Sequence, residues 1–250
     1  YEYIKKFSFV NEAIKLENNL LDKIKLYLKL KKKIFKFIVI HDNKNRSKLI
    51  SFFLKSNHKI SFNDPEKYNH IDTIKLILKK MNFKFFDQSL NIFENGSNIN
   101  NEEKHIQIHF DEKWIFNDYI KNYINIEPTK EQLVNFINRI IKKTKKNLVI
   151  TSGNKLPVIL KEIMPIQNKL KIKIYDELNF SDLENITRKS EILISCHGAI
   201  SHVAAACKIK QIDIIDKSYN YSRWTHHFRN YNHVYRDKFS LLNDKILNVL

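Results

Sequence analysis

The second part of the chain alternates short runs of apolar residues with longer segments in which apolar residues recur every three to four positions. Continuous apolar runs are typical of strands buried on both faces of a parallel sheet, and the longer spacing is typical of amphipathic helices. The predicted strands cover residues 105–109, 147–151, 171–175, 192–195 and 211–216. The predicted helices cover residues 129–143, a short segment ending near 164, and residues 181–189, 199–207 and 237–250. This alternation predicts right-handed βαβ crossovers and an α/β fold whose parallel sheet carries helices on both faces.

The first hundred residues show a rougher version of the same pattern. Helices are predicted over residues 20–30, 46–54 and 72–81, with one buried strand within 33–41 and a second around Ile60 and Phe62. A polar, turn-rich segment, ENGSNINNEEK, follows at residues 94–104 and has no apolar periodicity. We therefore expect an N-terminal domain over residues 1–93, a linker over 94–104, a C-terminal domain over 105–236 and a final helix over 237–250.

Composition narrows the class of protein. The chain has 250 residues, of which 43% are hydrophobic, and this is too high for a disordered basic tail. Its two cysteines exclude a disulfide-rich secreted scaffold. No run approaches 18 apolar residues, and the first thirty residues lack the pattern of a signal peptide, so we expect a cytoplasmic protein. Because the chain opens at Tyr1 rather than Met, we also expect that the first domain is incomplete.

The charge of the chain is strongly basic but carries little specificity. Lys and Arg number 44 against 27 Asp and Glu, which gives a formal net charge of +17. Such a charge suits a polyanion, an anionic membrane or a phosphorylated ligand. The excess of basic over acidic residues is nearly all lysine, and Asn and Ile are abundant as well. An AT-rich genome favours these three residue types on any exposed surface, whatever the partner. The lysine clusters at 31–33 and 142–146 are therefore interpreted as solvated faces, which would also suit peripheral contact with the inner face of an anionic membrane.

Two glycines follow predicted strands in the second part of the chain. Gly153 ends the strand at 147–151, and Gly198 follows the strand at 192–195. In open α/β sheets, ligands bind beyond the carboxyl ends of the strands, and a residue without Cβ permits a sharp turn or the close approach of a ligand. A helix is predicted to begin at Ala199, and the unpaired amides of its first turn favour an anion such as a phosphate or diphosphate.

Several segments resemble one known family. SCHGAISHVAAA, at residues 195–206, resembles the DTGxxHLAAA signature of glycosyltransferase family nine, which contains the lipopolysaccharide heptosyltransferases. HIQIHFDEKW at 105–114 and NLVITSG at 147–153 resemble the strands that open the donor domain of that family. RSKLISFFLKSNHKISF and IDTIKLILKKM are similar to its acceptor-domain segments. The resemblance implies two Rossmann-like domains facing across a cleft, the GT-B type, and transfer of a heptose-like sugar from a nucleotide diphosphate sugar to a lipopolysaccharide or other cell-envelope glycan.

The resemblance also assigns donor-binding residues. It implies that Lys113 contacts the donor phosphate and that Gly198, Ala199 and Ser201 line the pocket of the diphosphate. Gly153 and His197 are further predicted donor-binding residues. His202 lies beside that pocket, and His197 stands where the family has an aspartate, so the family pattern is broken there. The first strand of the family and the aspartate thought to be its general base find no match, so no catalytic residue is assigned. We expect no metal and no cofactor, because Lys113 and the helix terminus would stabilise the leaving diphosphate.

Other interpretations remain open from the sequence. Cys196, His197, His202 and Cys207 match no standard zinc-finger spacing. SYNYSRWTHHFRNYNHVYR, at 218–236, could clamp single-stranded nucleic acid or wall a nucleotide-base pocket, and its aromatic and basic residues Tyr219, Arg223, Trp224, His226 and His227 could hold a donor or acceptor sugar. The alternative functions are a non-catalytic, degenerate transferase domain and a basic nucleic-acid-binding module, although we do not expect nucleic acid as the partner.

Overall fold

The computed structural model describes residues 2–5, 7–14, 19–40, 44–61, 68–85, 104–153 and 155–250. The chain divides into two compact units. Unit 1 comprises residues 1–89 together with 222–226, and unit 2 comprises residues 90–221 and 227–250. Of the linker predicted at 94–104, only Lys104 belongs to the described residues.

Unit 1 contains a two-stranded parallel sheet and four helices among its described residues outside 222–226. In chain order these elements are α1 (Glu2–Lys5), α2 (Leu20–Leu30), β1 (Ile34–Ile40), α3 (Asn45–Phe52), β2 (Lys55–Ser61) and α4 (His70–Lys80). Asn19 and Asn69 begin α2 and α4, since each side chain accepts a hydrogen bond from an amide in the first helical turn. The helices and strands predicted in the first part are therefore confirmed with shifted bounds, and Phe62 lies outside the described residues. The prediction that the strand within 33–41 is buried is wrong: Ile40 is the one buried residue of β1, and Ile34 is 76% exposed.

Unit 2 alternates strands and helices along most of its length. Its elements are β3 (His105–Phe110), α5 (Lys130–Thr144), β4 (Leu148–Ser152), α6 (Val158–Ile163), α7 (Gln167–Leu170), β5 (Ile172–Tyr175), α8 (Phe180–Arg188), β6 (Ser190–Cys196), α9 (Ala199–Ala206), β7 (Lys210–Ile215), β8 (Tyr231–Tyr235) and α11 (Phe239–Val249). The short helix α10 (Ser222–Thr225) lies between β7 and β8 in the chain, within the residues that cluster with unit 1. Turns of 3-10 helix cover Glu112–Trp114 and Met164–Ile166.

The six strands of unit 2 form one parallel sheet in the order β5-β4-β3-β6-β7-β8. This is the strand order of doubly wound nucleotide-binding folds, in which the chain starts in the middle of the sheet and winds outward in both directions. The direction of winding reverses between β3 and β6. A crevice therefore opens beyond the carboxyl ends of these two strands, and it is the expected place for a ligand.

The two faces of this sheet differ in chemistry. Alternate residues of each strand point to one face, and on that face Ile108, Ile150 and Ile194 pack against α5, α6 and α11 in the main apolar core. The opposite face carries a smaller apolar cluster under α9 together with buried polar side chains. Gln107 donates a hydrogen bond to Thr151 Oγ1 at 3.0 Å on this face, which satisfies both groups in the interior.

The fold class predicted from the sequence is confirmed: the chain is α/β, its sheets are parallel, and helices cover both faces of the unit 2 sheet. The helix predicted from Thr129 begins with a capping box, in which Thr129 and Gln132 exchange hydrogen bonds between side chain and backbone. The last helix, α11, packs against α5 and β8 and is part of unit 2. The sequence analysis missed strand β8, which lies inside the aromatic and basic segment at 218–236.

Candidate functional site

The turn after β3 places a lysine beside a buried carboxylate. Asp111 caps the 3-10 turn over Glu112–Trp114 by accepting a hydrogen bond from the amide of Lys113. The same carboxylate lies 2.7 Å from Lys113 Nζ. Trp114 is fully buried, donates its indole N–H to the carbonyl of His109 at 2.9 Å and stacks on Phe110. The turn is therefore fixed at both ends, and the backbone that carries Lys113 is rigid.

The ionisation of this turn follows from burial and charge. Burial opposes the charged form of Lys113, but the charge and hydrogen bond of Asp111 outweigh it, so that the pKa of the ammonium is raised. His109, 6% exposed, has a lowered pKa because burial disfavours its charged form, and the proximity of Lys113 acts in the same direction against the charge of Asp111. The cation of the turn at neutral pH is therefore Lys113.

Gly198 ends the turn after β6 and brings the start of α9 against Lys113. Its backbone is extended, with a φ of −173°, which any residue adopts. The requirement for glycine is one of space, since a Cβ at this position would lie 2.7 Å from Lys113 Nζ. At Gly153, after β4, a Cβ would lie 2.7 Å from Glu112 Oε2. Both glycines predicted as turn residues thus leave room for side chains of the turn after β3.

A cavity of about 220 Å³ opens at this point. Its lining includes Lys113, Gly153, Gly198 and Ala199, four of the seven residues predicted to bind the donor. Further lining residues come from the carboxyl ends of β3 and β4, from the turn after β3, from α8 and the segment before it, and from α9: His109, Asp111, Glu112, Ser152, Leu178, Phe180, Leu183 and Ile200. A lysine ammonium and the first amides of an eight-residue helix meet at one cavity, and this arrangement can hold an anionic group such as a phosphate.

A second cavity of unit 2 is larger but has a different chemistry. It measures about 640 Å³ and reaches the first residues of β3, β4 and β5, His105, Leu148 and Ile172. It therefore lies largely at the amino ends of the strands, away from the crevice where the winding of the sheet reverses. We place the candidate site in the smaller cavity, because the turn after β3 and the start of α9 converge there.

The other three predicted residues lie behind the Gly198 turn rather than along the cavity. The side chain of Ser201 is buried, and its hydroxyl donates to Asp213 Oδ1 at 2.8 Å. His197 Nδ1 lies 2.7 Å from Asp213 Oδ2. The ring of His202 packs edge-on against His197, with 5.6 Å between centroids. These side chains fix the shape of the turn, while Gly198 and Ala199 line the cavity itself.

Three further residues of the site were missed by the sequence analysis. Arg236, 6% exposed, donates hydrogen bonds to the carbonyls of Lys113 at 2.9 Å and Ile124 at 3.2 Å, and thereby holds the lysine turn from behind. Asp111 lies two residues after the strand predicted at 105–109, so its position could have identified it. Asp213 is the one acidic residue inside the apolar run QIDII, and a lone carboxylate in a buried strand is also a readable signal.

The segment at 218–236 is divided by the structure. Residues 231–235 form β8, Tyr219 and His227 belong to unit 2, and Arg223, Trp224 and His226 cluster with unit 1. Cys196 is buried and Cys207 is half-buried. Within the described ranges, no group of three His, Cys, Asp or Glu side chains is arranged to hold a metal ion. No helix among those residues is long and apolar enough to cross a membrane.

Comparison with known proteins identifies solved structures that have a similar fold. No family model and no curated protein matches the sequence. The structure of the E. coli heptosyltransferase WaaC with ADP matches with a TM-score of 0.65 at 9% identity, over 93% of this chain and 79% of that chain. The E. coli ADP-heptose lps heptosyltransferase II matches with a TM-score of 0.60 at 11% identity, over 99% and 86% of the two chains.

A glycosyltransferase of family 9 from Veillonella parvula DSM 2008 matches with a TM-score of 0.55 at 9% identity, over 92% of this chain and 72% of that chain. Likeness at such low identity concerns the fold rather than the substrate. The comparisons agree with the resemblance seen in the sequence around Gly198. The chain therefore has a parallel α/β fold of the GT-B type, which it shares with these three glycosyltransferases.

Proposed function

We propose that this protein transfers a sugar, heptose-like or related, from a nucleotide diphosphate sugar to a lipopolysaccharide or other cell-envelope glycan. The observation that carries the proposal is the meeting of Lys113 and the start of α9 at one cavity, where the winding of a doubly wound sheet reverses. Ligands of such sheets bind at this crevice. The fold shared with the heptosyltransferases, one of them in a structure with ADP, supports the same assignment.

The chemistry follows from where charge develops. During transfer, an oxygen of the acceptor forms a bond to the anomeric carbon, and the bond from that carbon to the diphosphate oxygen breaks. The electron pair of the broken bond stays on the leaving diphosphate. Under this proposal, Lys113 and the first amides of α9, which meet at the cavity, stabilise the growing charge of that oxygen. The acceptor hydroxyl loses a proton in the same step, and we assign no residue of this chain as its base.

The basic surface suits an acceptor that is anchored in a membrane. The lysines at 31–33 and at 142–146 would attract anionic lipid headgroups at the cytoplasmic face, where each basic residue near the surface adds about 1 kcal/mol. Under this proposal the protein is peripheral, with the donor taken from solution and the glycolipid from the bilayer.

Transfer of a labelled sugar tests the proposal directly. The full chain is incubated with ADP-, UDP-, GDP- and CDP-linked sugars and a truncated lipopolysaccharide acceptor, and the products are followed by mass spectrometry. We expect one donor to yield a glycosylated acceptor and one equivalent of nucleoside diphosphate. The product must disappear in Lys113→Ala and persist in Arg139→Ala, whose guanidinium pairs with Asp244 at an exposed position. Nucleotide binding without transfer to any glycan would overturn the transferase assignment and leave a non-catalytic domain.

A further inference from the structure

A groove on one face of the unit 2 sheet holds the cavity of about 640 Å³ at the amino ends of the strands. Neighbours in register share a face of a sheet, so Lys173 and Tyr175 of β5 lie on the same face as Gln107 and Thr151. Both residues of β5 are exposed, and the face is therefore open at this strand. The groove lies between β5 and the end of α8, whose residues Asn185, Ile186 and Lys189 line it.

Three lysines from three different elements converge on this groove. Lys171 follows α7, Lys173 lies within β5, and Lys189 follows α8. No Asp or Glu occurs among the described residues that line the groove, and in the described ranges no carboxylate pairs with Lys171 or Lys173. At the end of α8, the carbonyl of Ile186 already accepts hydrogen bonds from the amide of Lys189 and the hydroxyl of Ser190. The groove therefore concentrates positive charge that no carboxylate of its described lining balances.

The ionisation of His105 reflects this positive charge. His105 is the first residue of β3 and lines the groove, with its Nε2 3.1 Å from Ser190 Oγ. Burial lowers the pKa of His105, the charges of Lys189 and Lys173 lower it further, and a hydrogen bond with the backbone of Ile186 acts in the opposite direction. An anion bound among the lysines would raise this pKa, because a nearby negative charge favours the imidazolium.

The other polar groups of the groove suit a sugar. Asn147, Asn168 and Asn185 line it together with the lysines. A side-chain amide offers donors and an acceptor, and a sugar hydroxyl can donate and accept as well, whereas a lysine ammonium only donates and suits a phosphate. The cavity also falls within the range of about 300–1,000 Å³ that is usual for sites of small molecules.

We infer that the groove between β5 and α8 binds a small phosphorylated sugar, with its phosphate held by the three lysines and its hydroxyls by the asparagine amides. The groove lies largely at the amino ends of the strands, whereas the cavity with Lys113 and Gly198 lies beyond their carboxyl ends. The inference concerns a second site, goes beyond the proposed function and does not depend on it.

Calorimetric titrations of the full chain test the ligand. The probes are glucose 6-phosphate, glucose 1-phosphate, inorganic phosphate, glucose and AMP. We expect at least one of the two sugar phosphates to bind more tightly than the other three probes, because it alone supplies both the phosphate and the sugar hydroxyls. No binding of either sugar phosphate would overturn the inference. Inorganic phosphate or AMP that binds as tightly as the better sugar phosphate would overturn the assignment of a sugar.

Variants of Lys173 test the place of binding. Lys173→Gln removes one charge-assisted contact at an exposed position and should raise the Kd of the better sugar phosphate about three- to tenfold. Lys173→Arg keeps the charge and should bind within about twofold of the unaltered chain. The matched control Lys161→Gln removes an exposed lysine of α6, on the other face of the sheet, and should leave the Kd unchanged.

NMR titration of the histidine rings against pH locates the ligand independently of any variant. We expect the better sugar phosphate to raise the pKa of His105 and to leave that of His233 unchanged, since His233 is exposed on β8 at the opposite edge of the sheet. Binding that persists in Lys173→Gln but is lost in Lys113→Met would place the ligand in the other cavity and overturn the second site. Transfer of a labelled sugar tests the proposed function separately, so either proposal can fail alone.

Discussion

Replacing Gly198 by alanine tests the contact that defines the site. The extended backbone at this position accepts alanine, so the turn itself should persist. The new Cβ would lie 2.7 Å from Lys113 Nζ, whereas ordinary van der Waals contact begins at 3.4 Å. The ammonium is the end of a flexible side chain, and it would therefore retreat by several tenths of an ångström from the cavity and from its present place beside Asp111.

The size of the effect can be worked from that displacement. If Lys113 donates one charge-assisted hydrogen bond to the diphosphate, that bond contributes about 1.5–3 kcal/mol. Its loss corresponds to roughly a 10- to 100-fold increase in the Kd of a nucleoside diphosphate. Stability should change little, because alanine reduces the freedom of the unfolded chain and offsets the weaker helix cap.

A double-mutant cycle decides whether Gly198 acts through Lys113. Kd values are measured calorimetrically for Gly198→Ala, Lys113→Met and the double variant, with thermal unfolding to confirm that each is folded. Methionine keeps an unbranched side chain, one atom shorter than that of lysine, without the charge. We expect Gly198→Ala to change the Kd less than about twofold once the lysine is absent, since coupled residues do not add. Equal losses in both backgrounds would refute the reasoning.

Three further predictions concern buried groups of unit 2. Arg236→Met removes hydrogen bonds to two carbonyls and should lower the free energy of unfolding by about 2–4 kcal/mol. The control Arg139→Met loses an exposed pair with Asp244 and should lower it by less than about 1 kcal/mol. Equal losses of unfolding free energy in urea titrations would contradict this prediction. Burial lowers the pKa of His109 in the folded protein, so at acidic pH the unfolded protein binds more protons than the folded protein does. The free energy of unfolding should therefore fall as the pH drops below about 6.5. His109→Gln should flatten that part of the profile of unfolding free energy against pH, and an unchanged slope would argue against the assignment. Burial raises the pKa of the Cys196 thiol, so iodoacetamide at pH 8 should label it only after denaturation, as mass spectrometry would show; labelling at the denatured rate would show an accessible thiolate.

The sheet of unit 2 was predictable from the sequence because its buried parallel strands have a simple pattern of apolar residues. Strands that are buried on both faces need apolar residues at most positions, as in LVIT and ILIS. The turn glycines follow from the same strands, and the glycine after β6 lines one cavity together with Lys113, as the sequence predicts. Strand β8 has no such run of apolar residues, since Val234 is its one buried residue and the strand lies at the edge of the sheet.

The pairing behind the turn could not be predicted in the same way. Asp213 and His197 are sixteen positions apart, and their contact exists because β6 and β7 are neighbours with Ser195 opposite Asp213. That register is a property of the folded sheet and leaves no periodic signal in the sequence. Arg236 was missed for a similar reason, because a chain with 44 basic residues gives no sign of which one is buried.

The central claim is that the crevice between β3 and β6 binds a nucleoside diphosphate, and ligand-observed NMR tests it most directly. ADP, UDP, GDP and CDP are titrated against the full chain at low and moderate salt, alongside a short single-stranded oligonucleotide. The account predicts saturable binding of one nucleoside diphosphate, lost in Gly198→Asp, where a carboxylate would meet Lys113, and kept in Lys146→Ala. Binding of the oligonucleotide alone, falling steeply with salt, would contradict the account and indicate a basic nucleic-acid-binding module.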